Sequence, residues 1–439
     1  MGLFFPERKY IPLLEALATV DQATHFLGEF EHWQIKYRRA KPAPKIFFAG
    51  IMGYGCDIGH RKLAQISKQI DENELDTVVN WYFSLENVQR ANDRIVRFMD
   101  RMELANLYRR DEDVLHTSSD GQKLEVAVDS LNANYSFKYL GKEKGVSVIT
   151  FIDMRDLMWH SMVISPAERE SAYVIDGLMR NEVVKSDIHS TDTHAYSEVI
   201  FGATFGLVEF APRIKGVGNQ QLYAFQKRKH YEELGYKLLP DRDIQAALIE
   251  DQWDEILRFL ATIRLKVTSA SQLFKRLNSY SKQHPLYRGL KEFGRGPKTL
   301  FILKYVDDVE FRQAIEKQLN KVESSNKFSK AVSYGHSQEF LQSEKEDEEI
   351  AEGCRRLIKN AIICWNCLYL SRELERQPDQ DHRDALLHAM RHGSVGAYRH
   401  FNLHGEFDFS PGRMVDSIGL WFPKSRPRKA RKIGKAKIS

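Results

Sequence analysis

The chain has 439 residues, enough for two to four domains or one large core with insertions. Its 42% hydrophobic and 28% charged content is ordinary for a globular protein and excludes disorder over most of its length. The net charge of +5 hides an asymmetry: residues 424–439 hold eight Lys or Arg and no acid, which leaves 57 basic against 60 acidic residues, or −3, in the body. The basic excess is therefore a tail, rich in Arg426, Arg428, Lys429, Arg431 and Lys432. Such tails contact polyanions without reading sequence. Four cysteines in so long a chain argue against a disulfide framework. No run reaches 18 apolar residues, so no membrane span is expected, and the first ten residues do not form a secretory signal.

Taken in chain order, residues 7–108 read as helices, with Leu13, Leu14, Leu17 and Val20, then Phe26, Leu27 and Phe30, at helical spacing. Pro42 and Pro44 interrupt the pattern. The glycine-rich piece 50–59 matches neither the dinucleotide nor the P-loop spacing, and its glycines suit a tight junction between helices. A further helix is expected over 74–108. The character changes near residue 112. Segments 114–122, 146–154 and 157–164 read as strands, 167–179 as a helix, 185–190 as a strand, 195–207 as a helix and 209–215 as a strand. That order is the order of a mixed α/β, RNase H-like core. Residues 217–305 turn helical again, a helix covers 309–332, and another covers 339–376. Within the last, Cys364 and Cys367 form a C-x-x-C without a second pair at zinc-finger spacing, and small core residues are expected there.

These readings give five parts: a helical region 1–110, the first part of the core 111–216, a helical insertion 217–305, the last part of the core with C-terminal helices 306–423, and the basic tail 424–439. The octet His-Ser-Thr-Asp-Thr-His-Ala-Tyr at 189–196 sits where a strand ends and a helix begins. Its Asp192 follows Asp120 of Ser118-Ser119-Asp120-Gly121 by 72 residues. Two strand-borne aspartates and a later helical glutamate suit two-metal phosphoryl chemistry on nucleic acid. Magnesium takes hard oxygen ligands of this kind. For the first acid, pattern alone leaves Asp120 and Asp129. For the third, Ile315, Leu319 and Glu323 recur every four residues, which points the Glu323 carboxylate toward the core, but Glu316 lies one heptad earlier on nearly the same face.

The segments Ser118-Ser119-Asp120-Gly121-Gln122, Ser130-Leu131-Asn132-Ala133, Tyr139 with Glu143-Lys144-Gly145-Val146-Ser147, and Asp187-Ile188-His189-Ser190-Thr191-Asp192-Thr193-His194 stand in order along the chain. Phe210-Ala211-Pro212-Arg213, Leu319-Asn320-Lys321-Val322-Glu323, Trp365-Asn366 with Tyr369, His400 with Asn402-Leu403, and Gly405-Glu406-Phe407 continue them. Together they resemble the catalytic part of the replicative class II (Tn-three family) transposases, over roughly residues 45–410. The resemblance implies an RNase H-like fold with a D-D-E triad. It assigns the acids to Asp120, Asp192 and Glu323, which would hold two Mg²⁺ ions that Mn²⁺ can replace, with His194 and Arg213 orienting a carboxylate or phosphate.

It also implies cleavage at transposon ends and attack of the freed 3′-hydroxyl on target DNA. The partners it implies are terminal inverted repeats, target DNA and a second copy in a homodimer on DNA, in the cytoplasm at the nucleoid. Alternatives are a non-autonomous DNA-binding remnant or an RNase H-like nuclease without strand transfer. Members of that family carry several hundred residues ahead of this region, including end-binding domains, so the chain is expected to be a catalytic piece. It departs from the family pattern at Cys56-Asp57, where a polar residue and Asn are usual, and at Cys367, where Thr is usual.

Overall fold

The computed structural model describes residues 5, 10–37, 41–109, 114–193, 196–279, 283–405, 407–414 and 418. Helices α1 (Leu13–Thr24), α2 (Pro44–Gly55) and α3 (Leu85–Asp100) come first. The helix expected over 74–108 is cut into Glu72–Tyr82, α3 and Glu103–Asn106. Phe83 and Ser84 are extended, and the Ser84 hydroxyl accepts from the Asn87 N–H, so a side-chain cap starts a new helix where the apolar period runs on.

The sheet follows as β1 (His116–Glu125), β2 (Lys144–Asp153), β3 (Met158–Ile164), β4 (Ile188–Ser190) and β5 (Glu209–Phe210). Its spatial order is β3-β2-β1-β4-β5. β1, β2 and β3 pair antiparallel, whereas β4 pairs parallel with β1 and β5 parallel with β4. Parallel pairing needs crossovers, and these are α4 (Glu170–Arg180) before β4 and α5 (Glu198–Thr204) before β5. This is the RNase H-like arrangement. β4 and β5 are shorter than the expected 185–190 and 209–215 because the flanking residues are used otherwise. The Asp187 carboxylate takes the Leu115 N–H, and Arg213 N–H bonds Thr191 across a non-ladder stretch.

The insertion between β5 and the acid-bearing helix is mostly helical, with a two-residue parallel pair of Tyr223–Ala224 and Arg242–Asp243. It ends in α6 (Pro285–Asp307), which crosses α5 where Gly294 lies against the Glu198 carbonyl and leaves no space for a Cβ. Asp308 then caps α7 (Val309–Val332) through the Phe311 N–H.

The core closes around α8 (Lys345–Arg376), which packs on α1, α2, α3, α7 and β3. Its buried residues run round the whole circumference, as a central helix requires. The glycine-rich piece is indeed a helix junction: a Cβ on Gly55 would stand 2.9 Å from the backbone nitrogen of Arg355. Beside it, buried Arg355 binds Asp57 at 2.7 Å and Glu352 at 2.9 Å, so a buried cation has its counter-charges in place. Cys364 and Cys367 are buried unpaired thiols of α8. None of the helices among the described residues is long and apolar enough to cross a membrane.

Two histidines of this core, His189 fully buried and His160 partly so, have lowered pKa values. Burial first, then the charge of His116, holds His189 down at about 3. Burial, then Arg356 and Arg180, holds His160 at about 3 as well. The unfolded chain takes up protons near pH 6.5 that the folded chain refuses, so stability is lost as pH falls below about 6.5. We expect the urea midpoint to fall between pH 7 and pH 5 by an amount equivalent to about 2 kcal/mol per histidine, and substitution of His160 by Phe to reduce that slope.

Candidate active site

The site is built by the parallel register of β1 on β4. His116, Thr117 and Ser118 pair with Ile188, His189 and Ser190. Two residues beyond the last pair, on each strand, stand Asp120 and Asp192. Because side chains alternate along a strand, Ser118 and Asp120 share one face of β1, with Ser190 the partner of Ser118 and Asp192 two residues past the end of β4. That face meets α7: Ser118 donates to the Gln318 carbonyl at 3.2 Å, and the Asn326 amide donates to Asp120 at 2.9 Å. The opposite face carries a polar clasp, in which His189 bonds Thr117 at 2.7 Å and Ser119 at 2.9 Å. The alternation in His189-Ser190-Thr191-Asp192 is therefore a clasp on one face and chemistry on the other.

Glu323 of α7 completes the set, at the margin of the helix's buried face. Its side chain is 49% exposed, so the expectation that it points into the core is wrong. The buried line of α7 runs through Ile315, Leu319, Val322 and Phe328, and Glu323 stands one position round from Val322, at the mouth.

Arg213, placed beyond β5 by its backbone bond to Thr191, ties these acids together. Its guanidinium bonds Asp192 at 2.9 and 3.2 Å, reaches Glu323 at 3.7 Å and Glu316 at 3.3 Å. Both helix candidates thus face the site. Asp129 does not: it is exposed and paired with Lys144 at 2.6 Å. His194 and the tail residues Arg426, Arg428, Lys429, Arg431 and Lys432 lie outside the described residues.

Asp120 is pushed up to about 7, by burial first, then by the charges of Glu170, Asp192 and Glu323, against a lowering bond from the Gly121 N–H. Glu170 belongs to the other face of the sheet. It lies against Gly121, where a Cβ would strike its carboxylate, and is held by Lys123 at 2.6 Å and Ser147 at 3.0 Å. The shielded Oδ1 of Asn326 has no hydrogen-bond partner. A raised carboxylic acid and an orphaned oxygen both report a shortage of positive charge, and an all-oxygen donor set suits a hard divalent cation in kind. Among the described residues, no three His, Cys, Asp or Glu are gathered closely enough to hold a metal ion as they stand. The cation would draw the acids in against the hold of Arg213.

Sequence reasoning missed Asn326 and Glu170. Asn326 had a signal, since it lies three residues after Glu323 on the same side of α7. Glu170 had none, because only packing brings α4 behind β1.

An RNase H-like sheet carrying Asp120 within β1 and Asp192 just past the end of β4, beside an acid-bearing helix, has the layout of a polynucleotidyl-transfer class of protein. The family described as Tn3 transposase DDE domain matches residues 15–407, and the chain belongs to it. It is similar to the transposase for transposon Tn1546 of Enterococcus faecium, 30% identical over 93% of this chain and 41% of that protein. The transposase for transposon gamma-delta of Escherichia coli is 29% identical over 91% and 40%, and that for Tn501 of Pseudomonas aeruginosa is 27% identical over 95% and 42%. The chain spans about two fifths of the length of these relatives. A solved piggyBac transposase synaptic complex with hairpin DNA aligns at a TM-score of 0.26 and 11% identity, too distant to carry an argument.

The Asp120 shift has a sign. Its folded value lies above its unfolded one, so folding favours the protonated form and this acid costs stability as pH rises from about 4 to 7. Asp120→Asn should stabilise the metal-free protein at pH 8 by on the order of 2 kcal/mol, read as a higher thermal midpoint, and change little at pH 4. Added Mn²⁺ should stabilise the wild type and not the variant.

Proposed function

We propose that this chain carries the cutting and joining centre of a replicative DNA transposase, with Asp120, Asp192 and Glu323 as its acids. The observation that supports this most is the β1–β4 register, with Asp120 and Asp192 each two residues beyond its last pair and Asp120 against α7 through Asn326. When bound, divalent ions (two Mg²⁺, replaceable by Mn²⁺) activate the attacking oxygen and stabilise the leaving one.

The chain's own residues do the rest. Asp120 gives up the proton that its neighbours now make it keep. Arg213 holds Asp192 and Glu323 in line and offers its remaining donors to a phosphate. The His189 clasp keeps the two strands from sliding. The substrates are transposon terminal inverted repeats and target DNA, the working form is a homodimer on DNA, and the compartment is the cytoplasm at the nucleoid. The basic run of the tail, with Arg426, Arg428, Lys429, Arg431 and Lys432, adds phosphate contacts that do not read sequence.

The test supplies pre-cut end DNA and target DNA with Mg²⁺ or Mn²⁺. Asp192→Ala should abolish nicking and joining, by roughly a thousandfold or more, whereas Asp129→Ala should leave both intact. Hydrolysis without joined product would make the chain a nuclease. Deletion of residues 424–439 should weaken binding to any duplex and flatten its dependence on salt, as measured by anisotropy at rising NaCl.

A further inference from the structure

The loop joining β1 to β2 carries a surface that the proposed reaction leaves unused. Large apolar side chains stand out from it into solvent: Leu131 is 91% exposed, Phe137 76%, and Tyr135 and Tyr139 are about half exposed or more. Tyr135 and Phe137 lie parallel, with 9° between their planes and 5.9 Å between centroids. Lys138 sits over the Tyr139 ring at 4.7 Å, and Lys144 over Tyr135 at 5.6 Å. Lone exposed apolar residues need no explanation, but a cluster marks a binding surface.

The loop is anchored. Ser130 donates to Glu348 of α8 and Asn132 donates to the same carboxylate at 2.8 Å, and Glu348 is itself buried. A short strand, Asn134–Tyr135, adds to β2. The rings are thus presented on a braced scaffold, fixed to the strand that bears Asp120. Five residues separate Asp120 from the end of β1 at Glu125, or roughly 17 Å, about five nucleotide steps along DNA.

We propose that this loop is a stacking platform for unpaired DNA bases beside the cleavage site, with Tyr135, Phe137 and Tyr139 supplying the faces and Lys138 and Lys142 the phosphate contacts. The occupant follows from shape and charge. Exposed flat rings, Tyr135 and Phe137 parallel, with ammonium groups over the Tyr135 and Tyr139 rings, match bases and their phosphates, and three lysines stand against Asp129, itself paired with Lys144, and Glu143. A protein partner would have no need of the parallel faces. This inference rests on the DNA reading of the chain, so its test avoids catalysis.

Binding is measured by anisotropy in EDTA, where no cleavage occurs. The probes are a fully paired duplex and the same duplex with a short unpaired 3′ extension containing 2-aminopurine. The full-length chain should bind the extended DNA more tightly and quench the 2-aminopurine. The Phe137→Ala/Tyr139→Ala double variant should lose the quenching and bind the extended DNA about tenfold more weakly, the size of a lost base–aromatic stack, with paired duplex unchanged. Both residues are exposed, so the thermal midpoint should not move.

Unchanged quenching, or equal weakening on both DNAs, overturns the platform. So does a sedimentation shift from dimer to monomer without change in DNA affinity, which would give the surface to a second copy of the chain. If instead Asp192→Ala keeps cleaving while the 2-aminopurine signal responds to the loop variant, the active-site reading fails and the platform stands.

Discussion

Everything near the chemistry depends on one backbone pairing, the three-residue parallel contact of β1 with β4. It is short, and its hydrogen bonds alone would hold it weakly. The buried His189 supplements them by bonding Thr117 and Ser119 across the joint, and His116 bonds Ser190 at 2.8 Å on the other face. A slip of β4 by one residue would turn its side chains to the opposite face while Asp120 stays fixed by the β1–β2 ladder. These side chains are buried, so the clasp is strengthened by low dielectric and costly to leave half made. That is the reason a histidine is kept neutral inside the sheet.

The second dependence runs from α8 to α7. α8 is encircled by helices and by β3, and it positions α7 through buried Lys359, which donates to Ser329 at 2.5 Å and to Ser325 at 3.1 Å. α7 in turn lays Gln318 and Asn326 on β1 and leaves Glu323 at the mouth. The acids are thus held by elements that are each fixed elsewhere, and the site needs little stability of its own. It has little to give: Asp120 is raised to about 7 by burial and by like charges, and Arg213 is shared among Asp192, Glu316 and Glu323. A centre short of positive charge suits a hard divalent cation in kind.

Much of this was legible in the chain. The strand and helix order of the core, the α7 bounds at Val309–Val332 and the bland role of Cys364 and Cys367 were readable, because each rests on local periodicity and composition. The cut at Phe83 and Ser84 was hidden by an apolar period that continues across it. The lengths of β4 and β5 were overread, because β-branched residues also suit extended segments that leave the ladder. Glu323 was read inward from a spacing that drifts round the helix over two turns, enough to move a side chain from core to rim.

Residue type and period by themselves determined the candidate acids, with Asp120 or Asp129 and Glu316 or Glu323 left open until the family resemblance chose between them, the elements that bear them, and the separation of a basic tail from a near-neutral body. Only the tertiary structure decided that Arg213 binds Asp192 and touches both helix glutamates, that Glu170 stands behind Gly121, and that Asp120 keeps a proton near neutrality. Those facts depend on distances between residues far apart in the chain, and on burial, neither of which local pattern encodes. The octet at 189–196 marked the candidate site; the register of β1 on β4 set Asp192 beside the strand that bears Asp120.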